Sequence, residues 1–239
     1  MPPKRMRFMG EDDEKFKRIG DELLDGLEHR AGQGRESSVL DVGCGYGRLA
    51  HAMKRRGFDG SYFGFDVLKP QISWCQRKLG SKRFEFVHID IGNGRYNPDG
   101  AGAVGDLDLG DRRFDVIAAF SVCTHLWPDD VSAYLRLAAE HLSPGGHFQS
   151  TFFLMDDEWR RLVASGEIPQ HFQLERTPHC RYHSDAEPLH MVAYDLDWVI
   201  AEAARNGLKT SAPLYGSWSR RPLENPTPAY QDELTFRLA

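Results

Sequence analysis

The sequence predicts a doubly wound α/β fold, in which helices cover both faces of a mainly parallel sheet. Short apolar segments alternate with amphipathic helical segments along residues 37–238, which is the pattern of repeated strand–helix–strand units. A glycine-rich turn follows the first apolar segment, and acidic residues end the second and third. Because open α/β sheets bind ligands at the carboxyl ends of their strands, these residues indicate a ligand site at that edge.

Length and composition indicate one domain with an insertion. The chain has 239 residues, of which 41% are hydrophobic and 27% are charged, as in an ordinary globular protein. Its net charge of -5 argues against a broad nucleic-acid-binding face, which needs an excess of basic residues. No apolar stretch reaches the roughly 20 residues that span a bilayer, and no signal-peptide core follows Met1. We therefore expect a cytoplasmic protein with no membrane span and no nucleic-acid partner.

The first 36 residues are predicted to form an N-terminal helical segment ahead of the main domain, residues 37–239. Apolar residues recur with a period close to 3.6 along residues 11–28, which predicts an amphipathic helix. Glycines at positions 32 and 34 end this helix. Its apolar face either covers a bound ligand or packs on the sheet, and packing is the commoner role of such a face.

The turn after the first strand combines an acid with glycines at alternate positions. An apolar strand leads into Gly43, Gly45 and Gly47, and a helix follows. Glycine permits positive φ and the close approach of a ligand to the backbone. A dinucleotide fingerprint that starts at Gly43 needs another glycine at position 48, where this chain has Arg48. Asp41 sits poorly beside a pyrophosphate but suits a ligand that carries an ammonium and a sulfonium group.

Asp41 and the three glycines match an Asp/Glu-x-Gly-x-Gly-x-Gly signature, and this stretch resembles class I S-adenosylmethionine-dependent methyltransferases. The resemblance implies a Rossmann-like, mainly parallel seven-stranded sheet with an antiparallel last strand, and S-adenosylmethionine as the cofactor. The Leu-x-Pro-Gly-Gly turn at residues 142–146 is similar to that family as well. The resemblance also implies cofactor contacts around the strand ends at Cys44, Arg48, Val67, Ile91, Phe120 and Ser121.

Acidic residues at the ends of the next two strands complete the predicted cofactor site. Asp66 ends the strand predicted over residues 61–66 and lies 19 residues after Gly47. An acid about 20 residues past such a turn accepts hydrogen bonds from ribose hydroxyls. By the same resemblance, Asp90, at the end of the strand predicted over residues 84–90, accepts from the exocyclic amine of adenine. The alternatives are that Asp66 is a helix N-terminal acid and Asp90 a surface-loop acid.

The middle of the chain contributes a long loop and a central strand. Residues 92–110 are rich in glycine, proline and asparagine and exceed an ordinary connection of about 4 to 6 residues, which predicts a functional or mobile loop. Residues 114–121 are nearly all apolar and predict a central fourth strand, whose end faces the substrate. Asp129 or Asp130 is expected to cap the helix that follows over residues 131–142.

Residues 155–193 break the pattern and predict an insertion that caps the active site. Their sequence is charged, rich in histidine and interrupted by proline, and only residues 156–165 are expected to be helical. The histidines and the cysteine of this segment lack the spacing of a compact metal site, so no metal is predicted. A helix over residues 194–206 and strands over residues 208–215 and 231–238 follow.

Residues near the end of the fourth strand supply the candidate chemistry. A hydroxyl acceptor must lose a proton during methyl transfer, and His125 is the candidate base because a histidine pKa of about 6.5 suits that role. The alternative roles of His125 are to orient the following helix or to line the pocket. The candidate walls of the acceptor site are the aromatic residues Tyr96, Trp127, Tyr215 and Trp218.

These expectations favour a small-molecule O-methyltransferase that acts on a sugar, a lipid or a natural product. Residues 121–126 and 215–218 are similar to a sparsely characterised bacterial subgroup whose members look like modifiers of small molecules or glycans. The fourth strand lacks the Asn/Asp-Pro-Pro-Tyr/Phe ending of adenine and glutamine N-methyltransferases. A protein or RNA methyltransferase and a noncatalytic cofactor-binding scaffold are the alternatives. An enclosed pocket beneath the insertion favours a small acceptor, whereas an open groove with basic rims favours a macromolecule.

Overall fold

The protein folds into helices packed around two β-sheets. The computed structural model describes residues 1–3, 12–32, 34–223 and 229–239. The strands are β1 (Ser38–Val42), β2 (Ser61–Asp66), β3 (Phe84–His88), β4 (Phe114–Ala119), β5 (Leu142–Phe152), β6 (Leu154–Met155), β7 (Leu174–Thr177), β8 (Cys180–Tyr182), β9 (Val192–Asp195), β10 (Leu208–Thr210) and β11 (Asp232–Leu238). The helices are α1 (Asp13–Arg30), α2 (Arg48–Arg55), α3 (Lys69–Lys78), α4 (Pro128–His141), α5 (Asp157–Ser165) and α6 (Leu196–Arg205). None of these helices is long and apolar enough to cross a membrane.

The main sheet has seven strands in the order β10-β11-β5-β4-β1-β2-β3. Neighbours from β5 to β3 pair in parallel, and β11 pairs antiparallel with both β5 and β10. The structure therefore confirms the predicted doubly wound, mainly parallel sheet with an antiparallel last strand. The strand order reverses between β1 and β4, and this switch point is where open α/β sheets bind ligands.

Helices cover both faces of the main sheet because successive residues of a strand point to opposite sides. Val39 in β1 belongs to one buried cluster, together with Leu27 of α1 and Met53 of α2. Its neighbour Leu40 belongs to the cluster on the other face, together with Val131 of α4. Burial on both faces explains why the central strands are nearly continuous apolar runs.

The N-terminal helix α1 packs against α2. Arg55 of α2 forms an ion pair with Asp21 of α1. Gly20 permits close contact, because a Cβ atom there would lie 2.8 Å from the carbonyl oxygen of Arg48. The apolar face of α1 therefore packs within the protein, which is the commoner of its two predicted roles. Glu11, at which the sequence places the helix start, lies outside the described residues.

The insertion forms a second sheet, in the order β6-β9-β8-β7, and carries α5. The prediction of an irregular segment with one helix is wrong here, because strands of two to four residues are too short to show an alternating pattern. Tyr194 and Asp195 likewise belong to β9, and the predicted helix begins only at Leu196. Within the part of the chain that the structure describes, no group of three or more His, Cys, Asp or Glu side chains is placed to hold a metal ion.

The helix after β4 begins earlier than predicted, and the prediction that an aspartate caps it is wrong. α4 starts at Pro128, with Trp127 as its N-cap residue and no side-chain capping bond. Proline suits the first helical position because its φ is already helical and it has no N–H group to satisfy. Asp129 and Asp130 lie in the first turn, where the partial positive charge of the helix N-terminus favours carboxylates.

Asp232 joins the insertion to the main sheet. Its buried carboxyl group accepts hydrogen bonds from the backbone N–H groups of Leu154 and Gly216, each at 2.8 Å, and from the Trp218 indole N–H at 2.6 Å. Burial raises the pKa of Asp232 to about 7, although the hydrogen bonds from these donors lower it. The Trp218 ring packs in the insertion's own core with Phe153. The carboxyl group therefore bridges β11, the insertion and the segment before β11.

Asp232→Ala should destabilise the protein by about 3 kcal/mol or more, because buried donors that lose their acceptor cost about 1–3 kcal/mol each. Denaturant unfolding of the wild type and the variant measures this difference. Asp111→Ala is the matched control, since Asp111 is exposed and such substitutions stay within about 0.5 kcal/mol. Equal losses of stability in the two variants would contradict the bridging role of Asp232.

Candidate active site

The turn between β1 and α2 depends on its glycines. Gly43, Gly45 and Gly47 have positive φ values of 65°, 55° and 68°, a conformation that strains other residues. A Cβ atom on Gly43 would lie 2.7 Å from Cγ2 of Val122, and one on Gly47 would lie 2.7 Å from Cδ1 of Leu79. The absence of side chains lets the backbone pack closely here, at the N-terminus of α2 with its free N–H groups.

A cavity of about 210 Å³ lies at the carboxyl ends of the strands around the switch point. Its lining comes from the glycine turn, the ends of β2 and β3, the segment after β4 and the first turns of α4. The predicted site residues that line it are Gly43, Gly45, Arg48, Asp66, Val67, Ile91, Tyr96, Phe120, Ser121 and His125. The structure thus brings the glycine turn, the predicted ribose acid and the predicted base to one cavity.

Asp41 lies beneath the turn and outside the cavity lining. Alternation along β1 puts its side chain on the same face as Val39, which α1 and α2 cover. The Tyr62 hydroxyl donates to Oδ2 of Asp41 at 2.5 Å, and only 5% of the residue is exposed. Burial raises the pKa of Asp41 to about 7, while the Tyr62 bond and the charge of Arg48 oppose this shift. Asp41 therefore supports the turn from below.

Three other predicted cofactor residues also lie outside the cavity lining. Cys44 is buried, and burial raises the pKa of its thiol. Gly47 packs against Leu79, at the end of α3. Asp90 is exposed, and its Oδ1 atom accepts a hydrogen bond from the Asn97 amide at 3.0 Å. These positions shape the turn and the loop around the cavity.

Asp66 is held in the cavity wall by main-chain donors. Its Oδ2 atom accepts from the N–H of Gly45 and its Oδ1 atom from the N–H of Leu68, each at 2.8 Å. Burial raises the pKa of Asp66, while these N–H groups and the nearby His88 lower it. A carboxylate oxygen accepts about two hydrogen bonds, so each oxygen keeps a site for another donor. The turn thereby orients an acceptor pair toward the cavity.

The loop after β3 is tied to the site by asparagines. Oδ1 of Asn93 accepts from the N–H groups of Arg95 and Tyr96 at 2.9 and 3.0 Å, and its amide donates to the carbonyl oxygen of His125 at 3.1 Å. The backbones of Asn93 and Asn97 exchange two hydrogen bonds of 2.9 Å. These contacts fix the beginning of the long loop against the segment after β4.

His125 ends a short 3₁₀ turn, Cys123–His125, and lines the cavity. Its Nδ1 atom lies 3.0 Å from the carbonyl oxygen of Leu189 in the insertion. Because a carbonyl oxygen only accepts, this contact is a hydrogen bond when Nδ1 carries the ring proton, and Nε2 of the neutral ring then keeps its lone pair. Burial lowers the pKa of His125, and the charges of Arg95 and His190 lower it further, whereas the hydrogen bond to the Leu189 carbonyl raises it. The ring is therefore neutral at pH 7.

Ser121, just after β4, is a non-glycine residue with a φ of 56°. This conformation is costly and persists where neighbouring contacts hold it. Its N–H donates to Oγ1 of Thr151 at 2.7 Å, and its hydroxyl donates to Oε1 of Gln231 at 3.0 Å. Gln231 in turn donates to Oγ1 of Thr124 at 3.3 Å. The network fixes the backbone that leads to His125.

Of the four predicted wall residues, the structure brings only Tyr96 to the cavity, with its ring edge-on to His125 and 5.5 Å between centroids. Trp127 packs against the insertion sheet, Tyr215 donates to the carboxylate before α5, and Trp218 donates to the first residue of β11. Trp218 lies in the insertion's own core, whereas Trp127 packs against the core cluster on the α4 face of the main sheet. We leave these three out of the proposed acceptor site.

Residues that were not predicted to belong to the site also line the cavity, among them Gln71, Asn93, Val122, Leu126, Asp130 and Tyr134. Asp130 and Tyr134 lie one turn apart on α4, so their spacing of four is the signal that would have indicated a shared face. No local signal distinguishes Asn93, because its role depends on His125, 32 residues further along the chain.

Comparison with known proteins identifies the class that this fold and this site define. The family model of a methyltransferase domain matches residues 14–193, three quarters of the chain. The chain belongs to this family, and the resemblance of its glycine turn to class I S-adenosylmethionine-dependent methyltransferases is confirmed.

Particular relatives are more distant. The fatty-acid O-methyltransferase of Mycolicibacterium smegmatis is 31% identical over 133 residues, which are 54% of this chain and 43% of that protein, so the match spans less than half of this relative. The crystal structure of the PH0226 protein from Pyrococcus horikoshii OT3 has a TM-score of 0.64 and 15% identity and covers 99% of both chains. The glycopeptide N-methyltransferase MtfA, crystallised with S-adenosylmethionine, has a TM-score of 0.59 and 16% identity and covers 92% of this chain and 94% of that one. At these identities the two structures show the fold.

Asp66→Ala should weaken the binding of S-adenosylmethionine by about 1.5–3 kcal/mol, the range for hydrogen bonds to a charged group. Calorimetric titration of the wild type and the variant with this cofactor measures the loss. Asp111→Ala controls for the removal of a carboxylate outside the cavity and should bind normally. An unchanged dissociation constant in Asp66→Ala would contradict the ribose assignment.

Proposed function

We propose that the protein transfers the methyl group of S-adenosylmethionine to a hydroxyl group of a small-molecule acceptor, such as a sugar, a lipid or a natural product. The placement of His125 carries this proposal. Its ring lines the same cavity as Asp66 and the glycine turn, and its Nδ1 atom is committed to Leu189. A neutral imidazole with a free Nε2 atom suits the removal of a hydroxyl proton.

The residues of the cavity fit this cofactor at several places. Gly43 has no side chain, which leaves room at the turn for the methionine part of S-adenosylmethionine. Arg48 would place a positive charge near the carboxylate of that methionine part. Asp66 has acceptor sites left for the two ribose hydroxyls. Val67 and Ile91 supply apolar contacts for the adenine ring. These assignments support cofactor binding across the ends of β1, β2 and β3.

The proposed chemistry needs alignment and one proton acceptor. When bound, S-adenosylmethionine supplies an electrophilic methyl group on a positively charged sulfur. Phe120 and Ser121 border the cavity after β4 and would contact the bound cofactor, beside the segment that carries His125. Nε2 of His125 takes the proton that the acceptor hydroxyl loses, and Nδ1 of the resulting imidazolium keeps its bond to Leu189. Methylation of the acceptor oxygen would break the carbon–sulfur bond of the cofactor and leave S-adenosylhomocysteine, while the released proton would stay on Nε2 of His125.

The small volume of the cavity supports a small acceptor. The cavity measures about 210 Å³, and Leu126 and Tyr96 flank His125 in its lining. The insertion reaches the same ring through Leu189. The fatty-acid relative is named for O-methylation of a small molecule. A net charge of -5 gives no support to a nucleic-acid acceptor.

His125→Ala should lower kcat by about 10²- to 10⁴-fold, the usual contribution of a general acid or base, and should leave cofactor binding unchanged. In the wild type, kcat/KM should rise with pH as His125 loses its proton. Because burial lowers the pKa of His125, the midpoint of this rise should lie below a pH of about 6.5. The variant should lack the rise. Turnover of an identified acceptor across a range of pH measures both effects.

His29→Ala is the control for this experiment, because His29 is exposed in the last turn of α1. It should keep the wild-type kcat and the wild-type pH profile. If His125→Ala keeps its kcat and its pH dependence, the base assignment is wrong, and transfer rests on alignment alone.

A further inference from the structure

Three segments that are far apart in the chain meet at His125. Its own 3₁₀ turn follows β4, the Asn93 amide reaches its carbonyl oxygen from the loop after β3, and a second 3₁₀ turn, Pro188–His190, approaches from the insertion. The third contact is the hydrogen bond of 3.0 Å between Nδ1 of His125 and the carbonyl oxygen of Leu189. His125 is thus held through its backbone by the main domain and through its ring by the insertion.

The Leu189 contact decides which nitrogen of the ring is free. A neutral imidazole carries one proton, which lies on either nitrogen. Donation from Nδ1 to a carbonyl stabilises one of these tautomers and leaves the Nε2 lone pair exposed. The other charged or titratable neighbours, Arg95, His190 and Tyr96, influence the ring by charge or by edge-on contact. Besides the Leu189 carbonyl, a backbone hydrogen bond to His190 also raises the pKa of His125.

The carbonyl of Leu189 is itself held in place. The Leu189 side chain is buried in the large core cluster on the α4 face of the main sheet. Its Cδ1 atom would lie 3.5 Å from a Cβ atom on Gly94, which places it against the loop after β3. The N–H of His190 donates to the carbonyl of Glu187 at 2.9 Å, and the Glu187 carboxylate pairs with Arg95 at 3.4 Å. Packing, turn geometry and an ion pair therefore fix the acceptor.

We propose that Leu189 is a positioning residue, whose main-chain carbonyl selects the Nδ1–H tautomer of His125, so that the insertion completes the base. This inference rests on the proposed function of His125. It follows that undocking of Pro188–His190 leaves the cofactor site intact but releases the ring to exchange tautomers. Outer contacts of this kind typically change activity by about 10- to 100-fold when they are removed.

The tautomer is measured by ¹⁵N NMR of the uniformly labelled protein, which distinguishes protonated from bare ring nitrogens and needs no acceptor. We expect His125 to carry its proton on Nδ1. Two other histidines serve as internal references: Nδ1 of His141 lies 2.9 Å from the carbonyl of Arg112, whereas Nε2 of His88 lies 3.1 Å from the carbonyl of Val67. A proton on Nε2 of His125, or an even mixture, would overturn the inference.

A pair of leucine variants tests whether the packing of Leu189 sets the tautomer. Leu189→Ala removes the side chain that anchors the carbonyl, and the Nδ1–H to Nε2–H ratio of His125 should fall by about 2- to 12-fold, the factor that corresponds to one neutral hydrogen bond. Leu162→Ala is the control, because Leu162 is equally buried but lies in the insertion's separate core. It should leave the ratio unchanged. The same tautomer ratio in the wild type and in both variants would overturn the positioning role. If Leu189→Ala does not fold, the tautomer of His125 in the wild-type spectrum decides whether the inference holds.

Cofactor binding and turnover separate this inference from the function on which it rests. Leu189→Ala should bind S-adenosylmethionine within about twofold of the wild type, because Leu189 is not part of the cavity lining. Failure of the wild type to bind this cofactor would refute the proposed function, whatever the tautomer. If the tautomer ratio shifts in Leu189→Ala but His125→Ala keeps its full kcat, His125 is not the base, although the contact between Leu189 and His125 is confirmed. A shifted tautomer with a loss of kcat in both variants supports both proposals.

Discussion

The close packing of the turn between β1 and α2 is the constraint on which the rest of the site depends. The turn has room for backbone only, since a side chain at Gly43 would collide with Val122 in the segment after β4. The same turn fixes the predicted ribose acid, because the N–H of Gly45 binds Asp66. One turn with glycines at alternate positions therefore contacts both Asp66 and the segment that ends at His125.

The insertion adds what the parallel sheet lacks. Strand ends and glycine turns offer backbone groups and carboxylates, but a proton acceptor must also be held in one orientation. Leu189 supplies that restraint on His125, and the buried carboxyl group of Asp232 attaches the insertion to β11. The insertion is thus attached to the C-terminal strand of the main sheet and contacts the proposed base.

The main sheet and the cavity residues on its strand ends can be predicted from the sequence because their signals are local: apolar runs, glycines at alternate positions, and acids at strand ends. The second sheet cannot be predicted from the sequence, because its strands are too short to show an alternation of apolar and polar residues. Asp41 shows another limit, since strand alternation and the Tyr62 hydroxyl turn it away from the cavity. For Trp218, sequence does not distinguish an acceptor wall from the core of an insertion, because both require a buried aromatic ring.

Methylation of a small-molecule hydroxyl is the central claim, and a labelled methyl group tests it most directly. The protein is incubated with S-adenosylmethionine that carries a ¹³C methyl group and with a deproteinised, nucleic-acid-free metabolite extract, in parallel with protein and RNA fractions. We expect the label in the metabolite fraction, at the chemical shift of a carbon bonded to oxygen. Label confined to protein or RNA, label on nitrogen, or no transfer to any fraction would contradict the proposed function.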